Sequence, residues 1–192
     1  DLRLPRHLYQ DLLEAQRLTG GWFISASNVR DAWYPGMLEQ GSHVTPQFLE
    51  SRGGPDFSCY LITKQCHQYF QFDEGFQPAY HEDNDYHRRL ELAGLGAKIF
   101  SVNIPYLHYG SGTLKAVPRI AEKWQPRFAD CQRYYVDKWG GLPGHETYPL
   151  PFNAQMIVGN DHRRYYTGQG KPSHYYPSKP GEADPWASDS TT

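Results

Sequence analysis

Cysteine is scarce in this chain. Its 192 residues hold three, Cys59, Cys66 and Cys131. An odd, sparse set builds no disulfide framework, and without a CxxC pair it gives no basis for a structural zinc site. Such usage fits a reducing compartment, so a cytoplasmic location is expected. No apolar run approaches the roughly 20 residues a membrane-spanning helix needs, and no signal-peptide pattern is visible. Charge of one sign is also lacking: 19 Lys and Arg stand against 21 Asp and Glu, a net charge of -2, with the signs interspersed. That leaves no electrostatic case for a nucleic-acid or anionic-membrane partner. An initiating Met is missing too. The chain opens at Asp1 in a Leu-Arg-Leu-Pro segment that reads like the middle of a protein. An upstream segment, or a second chain, is therefore expected.

What the chain has in quantity is aromatic residues, 15% of the total, including 15 Tyr and 5 Trp. These rings bury large area while keeping a polar tip, which suits cores, interfaces and sugar-stacking surfaces alike. Most are expected in packing, and Trp33 is a candidate for an acceptor sugar.

Periodicity predicts an α/β chain. Pro5 to Leu18 reads as an amphipathic helix ended by Gly20-Gly21, and Trp22 to Ser27 as a buried strand. A long irregular stretch, Asn28 to Asp56, follows. A strand at Phe57–Thr63, a short helix at Lys64–Tyr69 and a turn at Phe72-Asp-Glu-Gly-Phe76 come next. His81 to Ala93 is a helix closed by Gly94 and Gly96. Ala97 to Ile104 is a strand stopped by Pro105, and His108 to Thr113 is a glycine-rich loop. Pro118 to Trp139 is a long helix. His162-Arg-Arg-Tyr-Tyr166 reads as a surface or interface, and from Gly168 onward composition predicts a disordered or draped tail. The expected boundaries are 1–115 for the main domain, 116–167 for a helical and irregular extension, and 168–192 for the tail.

The most informative segment is His81-Glu-Asp-Asn-Asp-Tyr-His-Arg-Arg-Leu90. Carboxylates in a first helical turn commonly cap free N–H groups and favour the positive end of the dipole. Asp85 precedes Arg88 and Arg89 at ion-pair spacing. The same placement also suits catalysis. A carboxylate at a helix start is rigidly aimed, and an adjacent pair supplies one group to take a proton from a hydroxyl and one to hold the acceptor.

The order of segments carries a resemblance. Gly53-Gly-Pro-Asp-Phe57 precedes a strand, Phe72-Asp-Glu-Gly-Phe76 follows a short helix, and Tyr80-His-Glu-Asp-Asn-Asp85 leads to Arg89-Leu90, Gly94, a strand and a His-containing loop. This series, over about residues 1 to 115, resembles the C-terminal half of family-2, GT-A type inverting glycosyltransferases. Lys138-Trp-Gly-Gly141 and the prolines after it resemble a continuation in some bacterial and phage members. The resemblance implies a GT-A-like, Rossmann-related mixed sheet flanked by helices, without the N-terminal nucleotide-binding portion and with an irregular C-terminal extension. It implies Asp83 as general base and Glu82 as its acceptor-binding neighbour. Asp73 and Glu74 would shape a turn beside the acceptor, and Asp85 would be structural.

A nucleoside-diphosphate sugar donor and a divalent ion, Mn²⁺ or Mg²⁺, follow from the same resemblance. His108 and Asp1 would be metal ligands, and Gly110, Thr113 and Lys115 would lie near the diphosphate. The acceptor would be a glycan, a protein side chain or a modified base, and the upstream segment or second chain would complete the donor site. Two other readings compete. One is a non-catalytic structural or sugar-binding protein with a GT-A-like half fold. The other is a metal-dependent hydrolase using His81, Glu82, Asp83, Asp85 and His87, ranked below because consecutive helical residues point in different directions.

Overall fold

The computed structural model describes residues 2–30, 34–38, 48–50, 55–77, 79–110, 112–158 and 164–167. The chain divides into two units, each made of two chain segments. One unit is Asp1–Gln68 with Gly94–Ala121, and the other is Tyr69–Ala93 with Glu122–Thr192.

The first unit is a mixed α/β layer compatible with a Rossmann-like fold. Its strands are β1 (Leu2–Arg3), β2 (Phe23–Asn28), β3 (Phe48–Glu50), β4 (Tyr60–Ile62) and β5 (Ile99–His108). The order is β1-β5-β2-β4, with β3 also paired to β5. Among the described strands β2 and β5 run parallel, β4 pairs antiparallel with β2, and β1 and β3 pair antiparallel with β5. Helix α1 (Leu8–Thr19) ends at Gly20, whose φ of 63° is the left-handed closure that glycine adopts without a Cβ clash.

Alternation sorts the strand residues. Ile24, Ala26, Val102, Ile104 and Tyr106 join Leu12 and Ala15 of α1 and Cys59 in one buried cluster. The other face of β2 and β4 is aromatic: the ring of Phe23 lies 4.6 Å from that of Phe57 and stacks on Tyr60 at 5.1 Å. Burying each large apolar side chain contributes about 1.5–3 kcal/mol.

Strand β5 corrects one expectation. It does not stop at Pro105 but runs on to His108. The parallel register with β2 shifts between Ser25 and Ser27, jumping from Ser25↔Ser101 to Ser27↔Pro105. Extra β5 residues at this irregularity absorb the prolyl residue's missing donor, and Ser27 Oγ donates to the Val102 carbonyl at 2.7 Å. The glycine-rich segment after it is also more ordered than a loop, since a short helix α4 forms at Gly112–Ala116.

The second unit takes α3 (Glu82–Leu92), the turn before it, the part of α5 (Pro118–Trp139) from residue 122, and a hairpin of β6 (Gln155–Val158) and β7 (Arg164–Thr167). Helix α2 (Lys64–Tyr69) leads into this unit. Phe76, Cys131, Tyr135 and Trp139 form its buried cluster. Gly140, at φ 74°, ends α5, and the backbone returns so that the amides of Thr147 and Tyr148 donate to the Trp139 carbonyl.

Candidate functional site

In the first unit the chemistry gathers where the parallel strands β2 and β5 end together. The carboxyl ends of parallel strands are where open α/β sheets hold ligands. Asn28 closes β2, and its Oδ1 accepts from the backbone N–H groups of both Arg30 and His108, each at 3.1 Å. His108 closes β5, and its Nδ1 lies 2.9 Å from Ser58 Oγ. Ser58 is set by Asp56, whose carboxylate accepts from the Ser58 amide at 2.8 Å, while the Asp56 carbonyl accepts from Ser25 Oγ at 2.7 Å. Gly110, at φ 61°, brings the backbone against the Arg30 guanidinium, and Lys115 Nζ donates to the Gly110 carbonyl at 2.9 Å. Nearby, Tyr106 is fully buried and its hydroxyl finds no partner at hydrogen-bond geometry. Burial, then the neighbouring Asp56, push its phenol well above the ordinary range, so it stays protonated.

In the second unit the chemistry gathers at the start of α3. Four buried charges lie behind it. Asp85 is inaccessible to solvent: Arg89 Nε donates to its Oδ2 at 2.8 Å, and its Oδ1 accepts from Trp139 Nε1 at 2.9 Å and meets Lys138 Nζ at 2.5 Å. Lys138, equally inaccessible, also donates to Asp73 Oδ2 at 2.8 Å. Asp73 takes two further bonds, from Tyr134 Oη at 3.0 Å and from the Gly75 amide at 2.9 Å. The Phe72–Phe76 turn, α3 and the end of α5 are thus fixed to one another by satisfied buried charges.

That lock orients what precedes it. His81 caps α3 in the left-handed region at φ 70°, next to Tyr80 at φ 79°. Two non-glycine residues there store about 1–2 kcal/mol each. The His81 ring packs 5.3 Å from Tyr135, and its Nδ1 is buried with no partner, as is Glu82 Oε2. Burial raises the Glu82 carboxyl above its ordinary range, with Asp83 adding to the rise. Asp83 Oδ1 accepts from the next amide, that of Asn84, at 2.8 Å.

The expected site residues therefore fall in two places. His108, Gly110 and Lys115 meet at the end of the parallel strand pair; Thr113 lies within α4, and its side chain is outside what is described. Glu82 and Asp83 stand at the mouth of α3. Asp73 is buried and bonded within its turn, while Glu74 is exposed on it. Asp85 pairs with Arg89. Asp1, Trp33 and the 168–192 tail lie outside the described residues. Leu2 is registered opposite His108. Sequence reading missed Asn28 and Arg30, at the start of the stretch read as irregular, and Ser58, in the segment read as a strand; none of them stands at a motif spacing. It also missed Lys138, whose burial only the packed fold reveals.

Among the described residues no group of three or more His, Cys, Asp or Glu could hold a metal ion. His108 still offers a donor of the right kind: a ring whose Nδ1 is oriented by a hydroxyl, the usual outer support of an imidazole ligand. No described helix is long and apolar enough to cross a membrane. Comparison with protein-family models, with curated proteins and with solved structures finds no match.

Proposed function

We propose that this chain carries the acceptor side of an inverting glycosyltransferase of the family-2, GT-A type, with Asp83 as general base. The observation that carries the reading is the fixed start of α3. Asp85 is turned inward and held by Arg89, Trp139 and Lys138, which sets the helix rotation and leaves the Glu82-Asp83 pair at its mouth. A base must be aimed before it is useful, and rigid support of this kind is what positions one. Asp83 takes the proton of the acceptor hydroxyl as that oxygen bonds to the anomeric carbon from the face opposite the leaving group. The bond from that carbon to the nucleoside diphosphate breaks, and configuration inverts. Glu82, partly desolvated, holds the acceptor.

The donor diphosphate belongs at the end of β2 and β5. His108 and Asp1 would hold Mn²⁺ or Mg²⁺ there, with Lys115 and the Gly110 and Thr113 backbone toward the phosphates. The residue after Asp1 is registered opposite His108, which favours this pairing. When bound, the ion neutralises charge building on the leaving diphosphate. The remainder of the donor site is assigned to an upstream segment or second chain, and the acceptor is a glycan, protein or modified-base hydroxyl.

The test is sugar transfer from a panel of nucleoside-diphosphate sugars with Mn²⁺ present, with the upstream segment supplied. Asp83→Asn is expected to lower turnover about 10²–10⁴-fold while leaving nucleoside-diphosphate binding nearly intact. Full turnover in that variant overturns the base assignment. Absence of any Mn²⁺-dependent nucleotide binding overturns the transferase reading itself.

A further inference from the structure

One histidine beside the proposed base has no part in the core. Helix α3 buries Asp85, Tyr86, Arg89 and Leu90. His87 lies on a different stripe, one turn after Asp83 and one turn before Glu91, the spacing at which helical side chains are neighbours. Its Nε2 stands 3.4 Å from Glu91 Oε1, and its side chain is 17% exposed against 53% for Glu91. A third carboxylate, Glu146 in the segment after α5, adds its field to the ring's surroundings. Glu146 is itself anchored, accepting from Tyr135 Oη at 2.6 Å and from the Gly144 amide at 2.9 Å, with Arg88 3.8 Å away. An imidazole among Asp83, Glu91 and Glu146 is thus held between opposing influences. Enclosure disfavours its cation, and three carboxylates favour it. Enclosure is the larger, so the ring titrates below the ordinary histidine value.

We propose that His87 is a positioning residue that makes the strength of Asp83 as a base depend on pH. As an imidazolium, one turn away, it stabilises the Asp83 carboxylate and weakens its pull on the acceptor proton. As a neutral ring it releases that pull. This rests on the reading of Asp83 as the general base. The groups that set the switch are Asp83 and Glu91 on α3 itself, and Glu146 with its partner Arg88 on the packed segment.

Two measurements on the intact chain separate the inference from the reading beneath it. The first is an NMR titration of the histidine rings, with His87 assigned by its loss in His87→Gln. The midpoint is expected below 6.5, the ordinary histidine value. Asp83→Asn is expected to lower it further by about half a pH unit, the size of a one-turn charge interaction in a high dielectric. No substrate is needed, and an unmoved midpoint in Asp83→Asn overturns the inference. The second is the pH profile of turnover in the transfer assay. His87→Gln should carry the acid limb to lower pH, and His87→Lys should lower turnover at every pH with the acceptor KM unchanged. An acid limb identical in wild type and His87→Gln also overturns the inference, leaving the transferase reading intact. If instead Asp83→Asn keeps full turnover while the titrations remain coupled, the transferase base is elsewhere and the link is electrostatic only.

Discussion

Replacing Lys138 with Met tests the buried lock directly. The four enclosed charges balance: Asp73 and Asp85 contribute -2, Lys138 and Arg89 +2, and the sum is zero. Removing the ammonium leaves a net -1 in a region closed to water. Asp85 retains Arg89 and the Trp139 indole, so it is still compensated. Asp73 loses its ammonium partner and keeps the Tyr134 hydroxyl and the Gly75 amide, both neutral, so it bears most of the loss. Breaking a buried pair from one side destabilises by about 3–5 kcal/mol. For a urea slope near ~2 kcal/mol/M this lowers the unfolding midpoint by about 1.5–2.5 M, read by far-ultraviolet circular dichroism and Trp fluorescence. The double variant Asp73→Asn/Lys138→Met should recover more than half of the loss, because the stranded charge is gone. A loss under about 1 kcal/mol, or a double variant no better than the single, would refute the claim that these charges compensate one another.

Two further outcomes follow from the same unit. A Cβ added at Gly75 would stand 2.5 Å from Tyr134 Cζ and 2.6 Å from its Oη. Gly75→Ala should therefore displace the ring that donates to Asp73 and lower stability by about 1–3 kcal/mol in the same urea assay. The Glu82 carboxyl is raised in the folded chain, so the folded state holds a proton that the unfolded state has lost. That contribution is fully present below 4.5, the unshifted value, and is lost as pH rises through the folded value. Wild type should thus match Glu82→Gln in acid and fall behind it toward neutral pH. A constant difference across the titration would show that Glu82 is not desolvated.

The local elements were legible in the sequence because periodicity and stop signals are local. The α1 stripe, the Gly20 closure, the short α2, the α3 carboxylates and the long α5 all follow from side-chain spacing and glycine placement. Asp85 and Arg89 at i and i+4 were readable as a pair for the same reason. Strand β5 was not readable past Pro105, because a proline's effect in a sheet depends on whether the partner strand can shift register, and β2 does. Lys138 shows the same limit. In the sequence it is one more charge near the end of a helix; whether water or two carboxylates surround it is set by residues 53 and 65 positions away. The sequence by itself determined where α1, α2, α3, α5 and the bodies of β2, β4 and β5 form, and which residue types could do acid–base work. Only the tertiary structure decided that segments 69–93 and 122–192 share a unit, that Asp73 and Asp85 are enclosed, and that Asn28, Ser58 and His108 converge. Burial and long-range hydrogen bonding are properties of packed neighbours, and the order of residues along a chain does not name those neighbours.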